Sequence, residues 1–435
     1  MLLSSVSRTA LSVLPIVILT AGFFLLIRLR AFFLLHPKKT WGSLGGGAGN
    51  GNSPFRVLMV SLAGTLGVGN IVGVAVALML GGPGAIFWMW VSAFLSMGIK
   101  YAEIVLAMRY RHREPDGSYR GGPMYYMKEG VGGAPGEFLS GLFCGVGLVS
   151  SFSLGNVIQV NAASEAVTRV LPISKTVFGI LCALVCAVLV MGGFRKIANV
   201  TAVLIPAACA VYFLLCFFVL IRRASDIPAV FVRIFHDAVT PDAGRGGVLG
   251  FLTSAAVRHG TAKGTFSHEA GSGTSPMSHA QSAEPCAAKQ GLYGILEVFF
   301  DTIVICTLTA LVLLLSGIAP ESANGGMDYV LSAFGRFFGR AADWIFAGFM
   351  TVFALSTVVC YSYYGTCFLR FFTKNKTAEA VYLILYSLIT WPGAVASPGI
   401  LWTLTDLGVV AMTTVNLIAV LFLSREVREE TKALL

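Results

Sequence analysis

The chain has 435 residues, of which 56% are hydrophobic and 12% charged, a balance that excludes an ordinary soluble domain. A formal net charge of +10 would suggest a nucleic-acid partner in a soluble protein. In a chain this apolar the Lys and Arg instead mark cytoplasmic loops, and no basic stretch carries interleaved stacking aromatics, so no nucleic-acid partner is expected.

Apolar runs such as 11–27, 197–221, 292–317 and 400–423 have the roughly 18–25 residues that cross a bilayer as helix. Without a barrel's alternation they read as helices, because lipid offers the backbone no other partner. In chain order the expected spans are 9–35, 55–80, 84–110, 137–166, 175–193, 197–222, 247–284, 289–318, 342–371, 377–397 and 400–424. The first is a retained span rather than a secretory leader, because it is long and Arg28 and Arg30 follow it. A linker rich in Gly and Asn occupies 42–53, and the polar segments 111–136 and 223–246 read as structured loops.

The segment 247–284 is polar enough to pass for a loop. Charge bias decides that it spans. With it in the membrane and the N-terminus outside, Lys289, Arg370, Lys374, Lys376, Arg425, Arg428 and Lys432 fall inside, and among later loops only Arg336 and Arg340 fall outside. Over the whole chain this topology puts about twice as many loop Lys and Arg inside as outside. The loop with Arg222, Arg223, Arg233 and Arg245 disagrees.

The second span is interrupted too. Gly64, Gly67 and Gly69 weaken helix at the depth where lipid demands it most, and Thr65 and Asn70 add polarity there. The two interrupted spans lie five spans apart, so they open two five-helix units of opposite orientation. That pattern marks an inverted-repeat transporter with its site at the breaks. The expected division is an extra N-terminal helix with its linker (1–54), a first five-helix unit (55–222), an extracellular loop (223–246), a second, inverted unit (247–424) and a cytoplasmic tail (425–435). The fold class is thus an all-α integral membrane protein of about eleven transmembrane helices.

Enzymatic motifs are missing or broken. Gly67-x-Gly69 followed by Gly73 lacks both the strand and the spacing of a dinucleotide fingerprint, and Gly69-x-x-x-Gly73 could be a helix-packing face. His268-Glu269 opens like a zinc-protease motif, but position 272 is Ser, and His259, His268 and His279 form no evident metal triad. No Ser sits in a hydrolase elbow. Six of the nine cysteines lie in apolar runs, with no zinc or disulfide spacing.

Ionisable residues inside spans are costly and usually paired or functional. They are Lys100, Glu103, Glu165, Arg258, Lys263, Glu269, Glu297, Asp301 and Asp406. Lys100 and Glu103 stand at i, i+3 and could pair locally. Glu297 and Asp301 share a helix face and need a cation, a proton or basic partners. Gln159 and Asn161 offer amides suited to a zwitterion, or to interhelical hydrogen bonds. Ser356 and Thr357 point about 100° apart on a helix, so a ligand in a notch between helices would use both; the alternative is bonding to their own helix.

These residues together resemble the alanine or glycine:cation symporter family. The resemblance runs through Gly69-Asn70-Ile71-Val72-Gly73-Val74-Ala75 and 81–90, then Lys100, Glu103, Tyr110-Arg111 and Gly121-Gly122-Pro123-Met124-Tyr125-Tyr126. It continues in Gly155-Asn156 with Gln159 and Asn161, Gly192-Gly193 with Arg195, Phe266-Ser267 with Glu269-Ala270-Gly271, Asp301-Thr302, and 353–357 with Ser362-Tyr363-Tyr364-Gly365. It implies the leucine-transporter type of fold and a sodium-coupled carrier of alanine or glycine. The implied solute site comprises Gly67, Val68, Gly69, Asn70, Gln159, Phe266 (as a lid), Ser267 and Gly271. The implied sodium ligands are the carbonyls of Ala63, Leu66 and Phe353 with the hydroxyls of Ser356 and Thr357. The chain departs from the family at Val68 (usually Thr), His268 (usually Asn), Cys360-Tyr361 (usually Gly-Trp) and Thr366 (usually Glu). His268 motivates an alternative, a carrier of the same fold coupled to protons or moving another small amino acid. The expected location is the bacterial inner membrane, N-terminus outside and C-terminus cytoplasmic. Nothing in the sequence sets an oligomeric state.

Overall fold

Inside lipid each backbone N–H and C=O needs a partner within the protein, and an apolar run meets that need by closing its bonds as helix. The computed structural model, which describes residues 2–42, 44, 52–115, 117–191, 193–239 and 254–434, is accordingly helical almost throughout. Short turns aside, the helices are α1 Leu2–Arg28, α2 Pro54–Thr65, α3 Gly69–Gly81, α4 Gly84–Arg109, α5 Gly133–Val170, α6 Lys175–Val190, α7 Gly193–Arg222 and α8 Ile227–Ala238. After these come α9 Ala255–His268, α10 Ser275–His279, α11 Ala287–Leu315, α12 Gly326–Phe338, α13 Ala341–Phe372, α14 Lys376–Val395, α15 Pro398–Phe422 and α16 Ser424–Leu434. The expected linker 42–53, the end of the loop 223–246 and the start of the span 247–284 lie largely outside the described residues.

Among the described residues, seven helices are long and apolar enough to cross a bilayer, and α2 with α3 makes a further path bent by 56°. Part of α1 and the whole of α6 are shorter apolar helices. The chain is a multi-pass, all-helical membrane protein. The polar segments contain more regular structure than loops. A hairpin pairs His112–Arg113 with Tyr119–Arg120, and α8 and α12 occupy connections between apolar helices.

The segments around the two interruptions sit deepest. Residues 57–75 and 260–282 are buried throughout. α9 packs along α4, α3 and α1, while α2 packs on α7 and α13. Other helices thus wrap the two broken ones, which is the arrangement that tolerates irregular backbone at membrane depth.

Candidate functional site

The first break spans residues 66–68, between α2 and α3. Helix ends leave N–H and C=O groups without intrahelical partners, and here side chains of the next turn and of other helices supply them. The Gly67 N–H donates to Asn70 Oδ1 (3.1 Å), and the Val68 N–H to Gln159 Oε1 of α5 (3.2 Å). Thr357 Oγ1 of α13 donates to the Ala63 carbonyl (3.0 Å) and approaches that of Leu66 (3.5 Å). Glycine is needed here for close approach. A Cβ on Gly67 would stand 2.7 Å from Gln159 Oε1, and one on Gly69 2.9 Å from the Phe266 ring.

The second break, 269–274, is longer and turns through left-handed backbone at Glu269 (φ 50°), Gly271 (φ 87°) and Gly273 (φ 76°). Glu269 is a non-glycine residue in a costly conformation, and its side chain is tied down. Tyr361 Oη donates to its carboxylate at 2.5 Å and Thr274 Oγ1 at 2.6 Å. Ser272 Oγ donates to its carbonyl at 2.6 Å.

Two buried carboxylates of α11 connect the breaks, each differently. Glu297 pairs with Lys100 Nζ (3.2 Å) and His279 Nε2 (3.1 Å), and accepts from Ser61 Oγ of α2 and Ser275 Oγ of α10, both at 2.8 Å. The local Lys100–Glu103 pairing that their spacing allows does not form. Lys100 reaches across to α11, where a fully buried charge finds the Glu297 carboxylate and the Ser275 hydroxyl (2.6 Å), while Glu103 accepts from Asn416 (2.9 Å). Asp301 lies one turn further on, in a π-helical stretch of α11. Its carboxylate accepts from Asn70 Nδ2 (2.7 Å), Ser267 Oγ (2.7 Å) and Thr302 Oγ1 (2.8 Å).

The structure brings Gly67, Val68, Gly69, Asn70, Gln159, Phe266 and Ser267 to one place, where the Phe266 ring lies against Gly69 and beside Trp402, tilted at 52° (5.1 Å between centroids). Lys263 lies over the Trp402 ring (4.2 Å) and pairs with Asp406 (3.6 Å) beside it. Gly271 lies apart, its Cβ direction facing Thr413, Leu417 and Ile18. Asn161 is apart as well, donating to the Gly393 and Ala396 carbonyls at the end of α14. Of the implied cation ligands, Ala63, Leu66 and Thr357 meet at the first break. Ser356 Oγ bonds back to the Phe353 carbonyl (2.9 Å) and borders a small apolar crevice between α7 and α13. His268 accepts the Ala270 N–H on Nδ1 (3.0 Å). Sequence reasoning left Asp301 and Thr302 out of the site. The available signal was the i, i+4 carboxylate pair on one helix, which does not say which member keeps a basic partner.

On the side of the hairpin and the end of α13, a cavity of about 1290 Å³ is lined by Arg56, Arg113, Arg195, Ser362, Tyr363 and Lys374, among others. Tyr363, one of its lining residues, donates to the Met277 carbonyl of α10 (3.3 Å), and the neighbouring Tyr364 accepts from Ser278 Oγ (2.9 Å).

Comparison with known proteins places the chain in a transporter family. The model of the family described as "Sodium:alanine symporter family" matches residues 2–434. Sodium/alanine symporter AgcS of Methanococcus maripaludis is 35% identical over 428 residues, covering 96% of this chain and 93% of that protein. Two Bacillus subtilis proteins are each 31% identical. One is a putative sodium/proton-dependent alanine carrier, YrbD (94% of this chain, 87% of that one). The other is a probable sodium/glutamine symporter, GlnT (95% and 86%).

Proposed function

We propose, from the premise that this chain belongs to the sodium:alanine symporter family and so is a cation-coupled amino-acid symporter rather than an enzyme, that it carries alanine or glycine with sodium into a bacterial cell. One observation carries the choice of site. The freed N–H groups of Gly67 and Val68 are held by two side-chain amide oxygens, of Asn70 and Gln159, which stand where a solute carboxylate would accept. The positive end of α3 adds to that preference for an anionic group. Phe266 closes the pocket above Gly69, and Ser267 lies beside it. The ammonium is received by hydroxyl and carbonyl oxygens of the second break.

The close fit of Gly67 against Gln159 and of Gly69 against Phe266 supports a small solute. Sodium is placed at the Ala63 and Leu66 carbonyls with Thr357, completed by Phe353 and Ser356. The eleven-span topology, with inverted units at 55–222 and 247–424, puts the N-terminus outside. The cavity with the basic rim is then the cytoplasmic vestibule, as the charge bias of membrane loops requires. Labelled alanine uptake into proteoliposomes, with and without an inward sodium gradient, tests solute and ion together. Glycine should compete with alanine, and leucine should do so at least about tenfold more weakly, a difference of about 1.4 kcal/mol. Leucine competing as well as alanine removes the small-pocket assignment.

A further inference from the structure

A charged helix that directly follows an apolar one has its charges at the membrane boundary. α16 begins at Ser424, just past the end of α15 at Phe422, and its charges are sorted by face. The acidic side is taken up by α4. Arg109 pairs with Glu426 (3.0 Å) and Glu430 (2.5 Å), Tyr110 Oη donates to Glu426 (2.7 Å), and Tyr101 Oη meets Thr431 Oγ1 (2.9 Å). Arg425, Arg428 and Lys432 recur at i, i+3 and i+7, so they fall within about 60° of one another on the other side of the helix. Among the described residues only Arg425 of these three has an acidic partner, Glu429 on the same helix (3.1 Å).

The end of α1 meets α16 on Tyr101. After Arg28 the chain turns through left-handed backbone at Arg30 (φ 56°) and Ala31 (φ 44°), a conformation that non-glycine residues keep only where packing holds them. The turn brings Phe32 against the Tyr101 ring (4.8 Å between centroids), the same residue that bonds Thr431 of α16. Arg30 is exposed, and Arg28 is half-buried with its Nε buried and without a hydrogen-bond partner among the described residues. Ile27, Leu35 and Phe422, within a few residues of these cations, are apolar and exposed. Exposed apolar side chains beside unpaired Arg and Lys describe the level where acyl chains give way to headgroups.

We infer that Arg28 at the end of α1, with Arg428 and Lys432 of α16, forms a binding site for the phosphodiester headgroups of anionic phospholipid. A phosphodiester offers two oxygens for one negative charge, which suits the forked guanidinium groups of Arg28 and Arg428. In a zwitterionic lipid the headgroup's own cation cancels that charge. Each basic residue near an anionic surface strengthens attachment about fivefold. Lipid held here joins the end of α1 to α16, and through α16 to α4 and α11, on which that helix packs. The site is independent of the solute and sodium positions assigned above.

The test is the melting temperature of the full-length protein in neutral detergent, titrated with dioctanoyl phosphatidylglycerol, dioctanoyl phosphatidylcholine or glycerol phosphate. Phosphatidylglycerol should raise it with a saturable midpoint, and the other two should not. Arg428→Gln/Lys432→Gln should move that midpoint at least about tenfold higher, and Arg28→Gln at least about threefold. The midpoint is read from the lipid-dependent rise, so a variant that starts from a lower melting temperature still reports. Arg428→Lys/Lys432→Arg, which keeps both charges, should stay within about threefold of the parent. Phosphatidylcholine acting as well as phosphatidylglycerol overturns the site, and glycerol phosphate acting as well makes it a site for free anions instead. Unshifted midpoints in the Gln variants overturn it too. So does an equal shift in Arg336→Gln/Arg340→Gln, whose cations lie elsewhere, between α12 and α13, since the response would then follow total charge rather than this site.

Discussion

The two helix breaks accomplish the same thing by opposite means. The first is three residues long and contains no left-handed backbone; its unpaired groups are met by side chains arriving from α5, α13 and its own next turn. The second is six residues long, turns through three left-handed positions, and is held largely by its own Glu269, Ser272 and Thr274. The first can therefore exchange its partners for a ligand without rebuilding its backbone. The second is a preset turn, and whatever moves it must move it as a unit.

The largest effect should come from uncoupling the two. Glu297 bonds Ser61 ahead of the first break and Ser275 after the second, with Lys100 as counter-charge. Removing one partner of a buried ion pair costs about 3–5 kcal/mol, so Glu297→Gln or Lys100→Met should lower the melting temperature in detergent sharply. The double variant Lys100→Met/Glu297→Gln should recover much of the loss, since no unpaired charge remains. Single variants as stable as the parent would mean that the breaks are not held together through this carboxylate.

Glycine substitutions sharpen the contrast next. Gly69 has helical backbone, so Gly69→Ala adds no strain, but its Cβ meets the Phe266 ring at 2.9 Å. Uptake should fall at least about tenfold with little change in melting temperature. Gly271→Ala forces a side chain to φ near +87°, at a cost of about 1–3 kcal/mol. It should lower the melting temperature while leaving the half-saturating alanine concentration within about twofold. If both glycines report in the same measurement, the breaks are not specialised as their backbones suggest.

How far the sequence foretells this arrangement differs between the breaks as well. Gly64, Gly67 and Gly69 inside an apolar run announce the first break directly. The second is announced only indirectly, by charge bias, because a buried polar helix and a polar loop look alike until the helices that wrap it are known. Short-range spacing also fails where partners are distant. Lys100 sits three residues from Glu103 but bonds Glu297, almost two hundred residues on. Asn161 looks as suitable as Gln159, and only the packing of α5 turns one toward the first break and the other toward α14.

A smaller effect separates two adjacent hydroxyls. Thr357 Oγ1 reaches the Ala63 carbonyl across the first break, while Ser356 Oγ returns to its own helix. Thr357→Ala should raise the half-saturating sodium concentration about tenfold and Ser356→Ala about threefold or less, a gap of roughly 0.7 kcal/mol. Sodium curves measured at saturating alanine would show it. Equal shifts would mean that Ser356 turns toward the cation when sodium binds, and that the crevice between α7 and α13 closes with it.

The smallest effect is expected at His268, just before the second break. A histidine in a polar break invites a role as a proton carrier, since imidazole titrates near neutral pH. Its geometry argues otherwise. Nδ1 accepts the Ala270 N–H, which an imidazolium cannot do, because both of its nitrogens are donors. Protonation would break a bond that supports the turn, and among the described residues the buried Nε2 has no hydrogen-bond partner. Asparagine at this position can accept the same N–H through Oδ1. His268→Asn should therefore leave the pH profile of alanine uptake between about 5.5 and 7.5, the range around an ordinary histidine pKa, superimposable on that of the parent. A profile that flattens in the variant would make His268 a proton site, and the second break would then titrate as well as turn.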